Sequence, residues 1–249
     1  MIQIILHGCN GKMGKVLQQL IAHDDELEVI AGIDKNIDTP SPFKIYSAPS
    51  DCEHKADVII DFSHYSAIAE LLDYCVASKT PVIIASTGLG DNELALIKEA
   101  SAEIPIFRSA NMSVGINAID KVLRGLIPTL EKDFNIEIIE KHHNKKTDSP
   151  SGTALLLAES INNACLVKKE FIYGRHSKSD DCKMTELGIH SIRGGTIPGE
   201  HTILFAGPDE IIEITHTALS KEIFARGAIR AAKFLAPKDK GLYSMKDLV

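Results

Sequence analysis

The sequence has few cysteines, and they form no recognisable pattern. Five cysteines are spread over 249 residues, and no two of them make a C-x-x-C pair. An odd number of scattered cysteines predicts free thiols rather than a disulfide framework or a structural zinc site. We therefore expect no metal, and we expect each cysteine to be a small buried apolar side chain. The five are Cys9, Cys52, Cys75, Cys165 and Cys182.

Positive charge and long apolar runs are also in short supply. The chain has 27 lysines and arginines against 34 aspartates and glutamates, for a formal net charge of -7 at pH 7. Nucleic-acid binding needs a basic face, so this balance argues against a nucleic-acid partner. No apolar run approaches the ~20 residues that span a bilayer, and the opening MIQIILHG lacks the features of a secretory signal. The sequence predicts a cytoplasmic protein without a membrane segment.

The hydrophobic share of 44% is ample for a packed core in one large domain or two smaller ones. Over the first 110 residues, β-rich apolar runs alternate with helical spacing. This alternation predicts an α/β fold, a Rossmann-type doubly wound parallel sheet with helices on both faces. The predicted strands are 2–6, 28–33, 58–62, 81–85 and 104–107, and the predicted helices are 16–21, 66–78 and 92–101.

The regular alternation of predicted strands and helices ends after residue 113. Consecutive strand patterns with little helix between them predict a second domain of α+β character with a mixed sheet. The polar stretch 176–183 predicts a mobile loop. The predicted strands are 134–141, 186–193, 202–206 and 210–216, and the predicted helices are 114–130, 154–162 and 221–235.

The first turn reads GCNGKMG at residues 8–14, between a strand and a helix. Such a turn presents free backbone amides to a pyrophosphate, which predicts dinucleotide binding. Asp34 follows at the spacing of a carboxylate that binds the adenosine ribose, which favours NAD. Lys35 is able to neutralise a 2′-phosphate, so NADP stays open and use of both cofactors is expected. The alternative is a glycine turn needed only for strand–helix packing.

A cationic cluster stands out at residues 140–154, EKHHNKKTDSPSGTA. His142 and His143 are adjacent at a strand end, so their side chains are expected on opposite faces with different roles. Ser149 is the expected N-cap and Pro150 the first helical residue, which would leave the amides of residues 151–153 free for an anion. Together with the neighbouring lysines, this pattern indicates a pocket for an anionic substrate.

The motif E-x-H-H-x-x-K-x-D-x-P-S-G-T-A at 140–154 resembles the signature of the 4-hydroxy-tetrahydrodipicolinate reductase (dihydrodipicolinate reductase) family. The resemblance covers essentially the whole chain, and the His-His-Lys/Pro-Ser-Gly-Thr part is its most specific element. The other matching segments are GCNGKMG at 8–14, DFS at 61–63, STG at 86–88, SANMSVG at 109–115, GIHSIRGGTIPGEHT at 188–202, EITHTA at 213–218 and GLYSMKDLV at 241–249.

The resemblance implies a nucleotide domain at 1–112 completed by 218–249, a substrate and oligomerisation domain at 113–217, a hinge that closes the cleft, and a homotetramer. It implies reduction of a cyclic dicarboxylate imine by NADH or NADPH in diaminopimelate and lysine biosynthesis. His142 and Lys146 fill the catalytic positions. The implied substrate positions are His143, Ser151, Gly152 and Thr153, and the cofactor positions are Gly8, Cys9, Asn10, Gly11, Lys12, Met13, Asp34, Lys35, Ala85, Ser86, Thr87, Ser109, Ala110, Asn111 and Met112.

The sequence departs from the family pattern in two places. Ala85 and Ser86 stand where the family usually has Gly-Thr, and Met112 stands where an aromatic residue is usual. Both differences bear on affinity for the nicotinamide and on the preference between NADH and NADPH. Two alternative functions stay open from sequence: another NAD(P)-dependent amino-acid or keto-acid dehydrogenase, and a dinucleotide sensor without turnover.

Overall fold

The computed structural model describes residues 1–176 and 181–249. The chain separates into two compact units, unit 1 of Met1–Val114 with Glu222–Val249 and unit 2 of Gly115–Lys221. Half of the predicted loop at 176–183 lies outside the described residues, since 177–180 are not among them. The functions assigned to the two parts of the chain stay predictions.

Unit 1 contains a seven-stranded sheet, here called sheet A. Its strand order is β12-β6-β5-β4-β1-β2-β3, and every neighbouring pair is parallel. Its elements are β1 (Ile2–His7), α1 (Lys12–Ile21), β2 (Leu27–Ile33), β3 (Lys44–Tyr46), β4 (Val58–Asp61), α2 (Ile68–Ser78), β5 (Val82–Ile84), α3 (Asp91–Ala100), β6 (Pro105–Arg108), α6 (Glu222–Leu235), β12 (Gly241–Tyr243) and α7 (Met245–Leu248).

Sheet A is covered on both faces. Successive side chains of a strand point to opposite faces, so each face of a central strand needs its own apolar layer. Leu6 of β1 belongs to a core with Leu17 of α1 and Ala228 of α6, whereas Ile5 belongs to a second core with Leu71 of α2. The predicted doubly wound fold is confirmed.

Unit 2 contains a five-stranded mixed sheet, here called sheet B, in the order β11-β10-β7-β9-β8. The β7–β10 and β10–β11 pairs are antiparallel, whereas β7–β9 and β8–β9 are parallel, which confirms the predicted mixed sheet. Its elements are α4 (Val114–Leu130), β7 (Asn135–His142), α5 (Gly152–Ala164), β8 (Glu170–Tyr173), β9 (Glu186–Arg193), β10 (Glu200–Ala206) and β11 (Ile211–Thr217).

One face of sheet B carries the core of unit 2. On β7, Ile136 and Ile138 are fully buried and pack with Leu123 of α4 and Leu157 of α5. The alternate residues of the strand, such as Glu137 and Ile139, lie on the other face and are only half-buried. Across the described residues, no helix combines the length and apolar character needed to cross a bilayer.

Two glycines within helices give a matched test of packing. A Cβ at Gly227 of α6 would lie 1.7 Å from the carbonyl oxygen of Met112, whereas a Cβ at the exposed Gly125 of α4 would meet nothing within 4 Å. We expect Gly227→Ala to lower the free energy of unfolding by about 2 kcal/mol through overpacking. Gly125→Ala is expected to raise it by about 0.5–1 kcal/mol through helix propensity. Calorimetric unfolding of both variants checks the opposite signs, and equal shifts would contradict the packing account.

Candidate active site

The predicted cofactor residues lie at one edge of sheet A. Residues 8–13 follow β1, residues 34–35 follow β2, residues 85–87 follow β5, and residues 109–112 follow β6. All strands of this sheet run parallel, so these segments share the edge formed by their carboxyl ends. The strand order reverses at β1, whose neighbours are β2 and β4. Ligands of open α/β sheets bind beside such a switch point.

The glycine turn after β1 is tightly packed. Gly8 has a φ of +77°, and a Cβ there would lie 2.9 Å from the carbonyl oxygen of Phe62. A Cβ at Gly14 would lie 2.4 Å from the carbonyl oxygen of Gly8. Helix α1 begins at Lys12, and its N-cap residue Gly11 makes no side-chain capping bond. The turn therefore presents backbone amides at a helix N-terminus, which fits a pyrophosphate.

Asp34 stands beside this turn. Its carboxylate accepts hydrogen bonds from the backbone amides of Asn10, at 2.9 Å, and Asn36, at 3.1 Å. Lys35 is exposed. Cys9 is buried beneath the turn, and burial together with the nearby Asp34 charge raises the pKa of its thiol to about 11. The thiol therefore stays neutral at physiological pH, which agrees with a packing role for its side chain.

A buried carboxylate at the end of β4 escaped the sequence prediction. Asp61 is fully buried, accepts a hydrogen bond from the amide of Ser63 at 3.0 Å, and is contacted by the hydroxyl of Ser86. The Nδ1 atom of His7 lies 2.9 Å from it. Asp61 thus connects the ends of β1, β4 and β5. The sequence signal that could have identified Asp61 is its place in the DFS motif, at the end of a predicted buried strand.

The segment after β6 is partly structural. The hydroxyl of Ser109 donates a hydrogen bond to the carbonyl oxygen of Asn111 at 2.9 Å. Met112 is 3% exposed and belongs to the core of unit 1, whereas Ala110 and Thr87 are exposed. The side chain of Met112 therefore serves packing.

In unit 2, the end of β7 holds a buried ionic cluster. Glu140 and His142 lie two residues apart on the same face, and Arg193 of β9 is in register with His142. The Glu140 carboxylate accepts hydrogen bonds from both terminal nitrogens of Arg193, each at 2.7 Å, and its Oε2 lies 2.6 Å from Nδ1 of His142. Its Oε1 also accepts the amide of Ser151 at 3.1 Å.

The cluster fixes the charge of Glu140. Burial alone would raise its pKa, but hydrogen bonds from Arg193, His142 and Ser191 outweigh burial and lower the pKa to about 2. The pKa of His142 is lowered, chiefly by burial and also by the positive charges of Lys146 and Arg193, against the opposing effect of Glu140. An ionised carboxylate only accepts hydrogen bonds, so the Nδ1 atom of His142 carries the proton in their contact.

The predicted start of the following helix was wrong by two residues. Ser151, not Ser149, is the N-cap, and its hydroxyl accepts the amide of Ala154 at 3.1 Å. The helix begins at Gly152 rather than Pro150. The prediction of free amides at Ser151 and Gly152 was also wrong, because the Ser151 amide donates to the buried Glu140 and the Gly152 amide donates to Asp148. Gly152 is exposed with open space around its Cα, and Thr153 is half-buried, so the exposed part of the turn begins at Gly152.

The other predicted substrate and proton-handling residues lie nearby in the sequence. His143 is half-buried, and its Nδ1 atom is buried without a hydrogen-bond partner in the described structure. The ammonium group of Lys146 lies 2.8 Å from the Asp148 carboxylate. Burial tends to raise the pKa of Asp148, but Lys146 and nearby backbone amides lower it overall. Asp148 is thus a further charged group that the sequence prediction did not assign.

His201 of β10 completes the cluster. It is 4% exposed, its Nε2 atom lies 2.7 Å from the hydroxyl of Ser151, and its ring packs edge-on against that of His142 at 5.1 Å between centroids. Burial, with a smaller contribution from His142, lowers its pKa to about 4. Among the described residues, no group of three or more His, Cys, Asp or Glu side chains is arranged to hold a metal ion.

Comparison with known families covers nearly the whole chain. Residues 2–112 match the family model described as "Dihydrodipicolinate reductase, N-terminus", and residues 115–249 match "Dihydrodipicolinate reductase, C-terminus". The chain belongs to the dihydrodipicolinate reductase family. The family predicted from residues 140–154 is confirmed.

Individual members of the family are similar to this chain over nearly the whole length of both sequences. A relative from Caldanaerobacter subterraneus subsp. tengcongensis, named 4-hydroxy-tetrahydrodipicolinate reductase, is 52% identical over 100% of this chain and 98% of its own. A relative of the same name from Clostridium tetani is 49% identical over 98% of this chain and 96% of its own. The dipicolinate-bound dihydrodipicolinate reductase of Paenisporosarcina sp. TG-14 shares the fold, with a TM-score of 0.83 at 21% identity and full coverage of both chains.

The buried His201 makes the stability of this reductase-family chain depend on pH. An unfolded histidine has a pKa of about 6.5, so between that value and about 4 the unfolded chain binds more protons than the folded one. The contribution of the neutral, buried His201 to the free energy of unfolding is complete above pH ~6.5 and is lost as pH falls toward 4. From pH 7 to pH 5 we expect His201→Gln to lose roughly 2 kcal/mol less unfolding free energy than the unmodified protein.

Urea denaturation at the two pH values measures this difference. His142 and His216 also have lowered pKa values, so part of the pH dependence stays in the variant. The exposed His23 is the matched control, and His23→Gln should keep the pH dependence of the unmodified protein. An unchanged pH dependence in His201→Gln would contradict the account.

Proposed function

We propose that the chain is an NAD(P)H-dependent 4-hydroxy-tetrahydrodipicolinate reductase of diaminopimelate and lysine biosynthesis. The relatives that carry this name at 52% and 49% identity support the proposal. The observation that carries it is the end of β7, where a histidine paired with a buried carboxylate adjoins the exposed start of α5. This combination suits an enzyme that binds a carboxylate and moves a proton beside it.

The substrate's carboxylates are proposed to bind at three groups of unit 2. Gly152 and Thr153 form the first turn of α5, where the helix dipole favours negative charge and Gly152 permits close approach. The unpartnered Nδ1 atom of His143 is available for a polar group of the ligand. Lys146 supplies a fixed positive charge, shared with Asp148. Ser151 supports this turn from behind, because its amide donates to Glu140 and its hydroxyl contacts His201, and its amide is therefore not offered to the substrate.

Proton handling is assigned to His142 and Lys146. Reduction of a conjugated imine leaves negative charge on the adjacent atoms, and this charge must be protonated or stabilised. Nε2 is the atom at which His142 would take up and release a proton, because Nδ1 is engaged by Glu140. Lys146 stabilises the developing charge electrostatically.

The cofactor is proposed to be NADH or NADPH, held at the carboxyl edge of sheet A. The glycine turn 8–14 would hold the pyrophosphate, and Asp34 with Lys35 would contact the adenosine ribose. The bound nicotinamide supplies the hydride. The tight approach around Gly8 and Gly14 and the uncapped start of α1 fit such a group. The segments 85–87 and 109–112 are proposed to line the same edge.

A homotetramer is proposed on the family resemblance. It is supported by sheet B, whose face opposite α4 and α5 carries half-buried or exposed apolar residues such as Ile139, Ile192 and Leu204. Such a face suits contact with another copy of the chain. The cytoplasmic location and the hinge stay predictions.

Turnover tests the proposed function directly. Freshly prepared 4-hydroxy-tetrahydrodipicolinate is mixed with the protein and either NADH or NADPH, and loss of the reduced nicotinamide's absorbance is followed. We expect His142→Gln and Lys146→Ala to lower kcat by roughly 10²-fold or more, since each removes a proton-handling or charge-stabilising group. The exposed neighbour Lys145 gives the matched control Lys145→Ala, which should retain turnover. Absence of turnover with both cofactors would refute the function, and near-unchanged kcat in His142→Gln would refute its role.

Cofactor binding tests the role of Asp34. Its carboxylate is able to accept a hydrogen bond from a free 2′-hydroxyl but repels a 2′-phosphate. We therefore expect Asp34→Ala to raise the Kd for NADH by a larger factor than the Kd for NADPH, as measured by fluorescence titration. Asp38→Ala, at an exposed position in the same loop, is the control and should leave both values unchanged. Equal effects of Asp34→Ala on the two cofactors would remove the ribose role.

A further inference from the structure

Glu140 has no assigned role in the proposed reaction, yet it contacts more of the cluster than any proposed catalytic residue. It is fully buried on β7, between strands β9 and β10. Besides the side chain of Ser191, four donors converge on its two oxygens: Nδ1 of His142, both terminal nitrogens of Arg193, and the amide of Ser151. A carboxylate used only to neutralise Arg193 would not need the contacts with His142 and Ser151.

We propose that Glu140 is a positioning residue that sets both the histidine and the carboxylate-binding turn. Its Oε2 orients the imidazole of His142 and holds a proton on Nδ1. Its Oε1 anchors the amide of Ser151, the residue directly before the turn of Gly152 and Thr153. One rigid carboxylate therefore fixes the distance between the proton donor and the turn. This inference rests on the proposed function for its catalytic meaning.

The tautomer follows from this geometry. Because Nδ1 of His142 faces an ionised carboxylate, Nε2 is the atom left to exchange protons with a ligand. Nε2 faces Gly199, where a Cβ would lie only 3.0 Å away. A side chain at residue 199 would therefore crowd the reactive nitrogen. The sequence GTIPGEH thus keeps a glycine beside His142.

Four charged or titratable groups face His142. They are Glu140 on its own strand, Arg193 on β9, His201 on β10, and Lys146 in the loop after β7. Glu140 is the one negative group among these four and the only one that favours the imidazolium form. Arg193 and Lys146 disfavour that form. Removal of Glu140 and removal of Arg193 should consequently change the protonation of His142 in opposite directions.

The experiment compares Glu140→Gln with Arg193→Gln. If His142 acts as a general acid, turnover declines as pH rises through its pKa. Glu140→Gln should move this alkaline decline of kcat to lower pH by roughly 1–2 units and lower kcat by about 10–100-fold. Arg193→Gln should move the decline to higher pH. A merely structural role of Glu140 would lower activity or stability without opposite shifts in the two variants.

Nitrogen NMR of ¹⁵N-histidine-labelled protein gives a readout that needs no turnover. The His142 resonances are assigned by their loss in His142→Gln. We expect the Nδ1-protonated form in the unmodified protein, and a lowered His142 pKa with loss of that tautomer preference in Glu140→Gln. If Glu140→Gln does not fold, a raised His142 pKa in Arg193→Gln carries the test.

The matched control is Glu137→Gln. Glu137 lies on the same strand and also contacts a histidine, His190, at 2.6 Å and an arginine, Arg175, at 2.7 Å, but on the opposite face of sheet B. This variant should leave the His142 titration unchanged. An unchanged His142 titration and tautomer in both Glu140→Gln and Arg193→Gln would overturn the proposal. If the unmodified protein shows no turnover, the proposed function fails, whereas the NMR result still decides the structural role of Glu140.

Discussion

The structure of the site in unit 2 depends on the ion pair between Glu140 and Arg193. A buried carboxylate is costly unless its charge is compensated and its lone pairs are occupied. Here the two-pronged Arg193 supplies the compensating charge, and His142 and the amide of Ser151 occupy the remaining acceptor positions. The pair thereby holds together two strands and the start of α5. Since each partner is needed to satisfy the others, the arrangement has little freedom to relax when one is changed.

In unit 1 the corresponding constraint is the parallel sheet. When all strands run in the same direction, the loops at their carboxyl ends meet at one edge, whatever their separation in the sequence. This is why segments near residues 10, 34, 86 and 110 come to the same edge of sheet A. Asp61 reinforces that edge from inside, because it links the ends of three neighbouring strands.

Most of the fold was predictable from the sequence, because long periodic segments carry their own signal. Helix α4 and strand β9 have the predicted bounds, whereas β3, β8 and β12 were missed. These three strands have only three or four residues, too few to show a period, and they depend on pairing with a neighbouring strand. The start of α5 was misplaced for a related reason: Ser149 and Ser151 are equally good N-caps in the sequence, and only the tertiary contacts with Glu140 and His201 distinguish them.

In the candidate site, too, residues with a local sequence signal were predicted and residues defined by tertiary contacts were not. The motif at 140–154 identified the histidines and the lysine, but the acidic residues around them carried no separate signal. Glu140, Asp148 and Glu200 are ordinary residues in an acidic chain until the structure pairs them with Arg193, Lys146 and Lys141. Ion pairing depends on strand register and loop conformation, which local sequence does not encode.

These pairings change the meaning of the cationic cluster. Three lysines within six residues suggest an open positive surface, yet Lys141 is paired with Glu200 and Lys146 with Asp148. A substrate carboxylate that approaches Lys146 must share this ammonium group with Asp148 or displace it. The contribution of Lys146 to affinity is then the difference between its interaction energy with the substrate carboxylate and its interaction energy with Asp148. It is smaller than the full attraction between the substrate and an unpaired lysine. The start of α5 is subject to the same competition, because Asp148 also accepts the backbone amide of Gly152 and Glu140 accepts that of Ser151. A substrate carboxylate that displaces Asp148 would therefore gain both the ammonium group of Lys146 and the helix N-terminus.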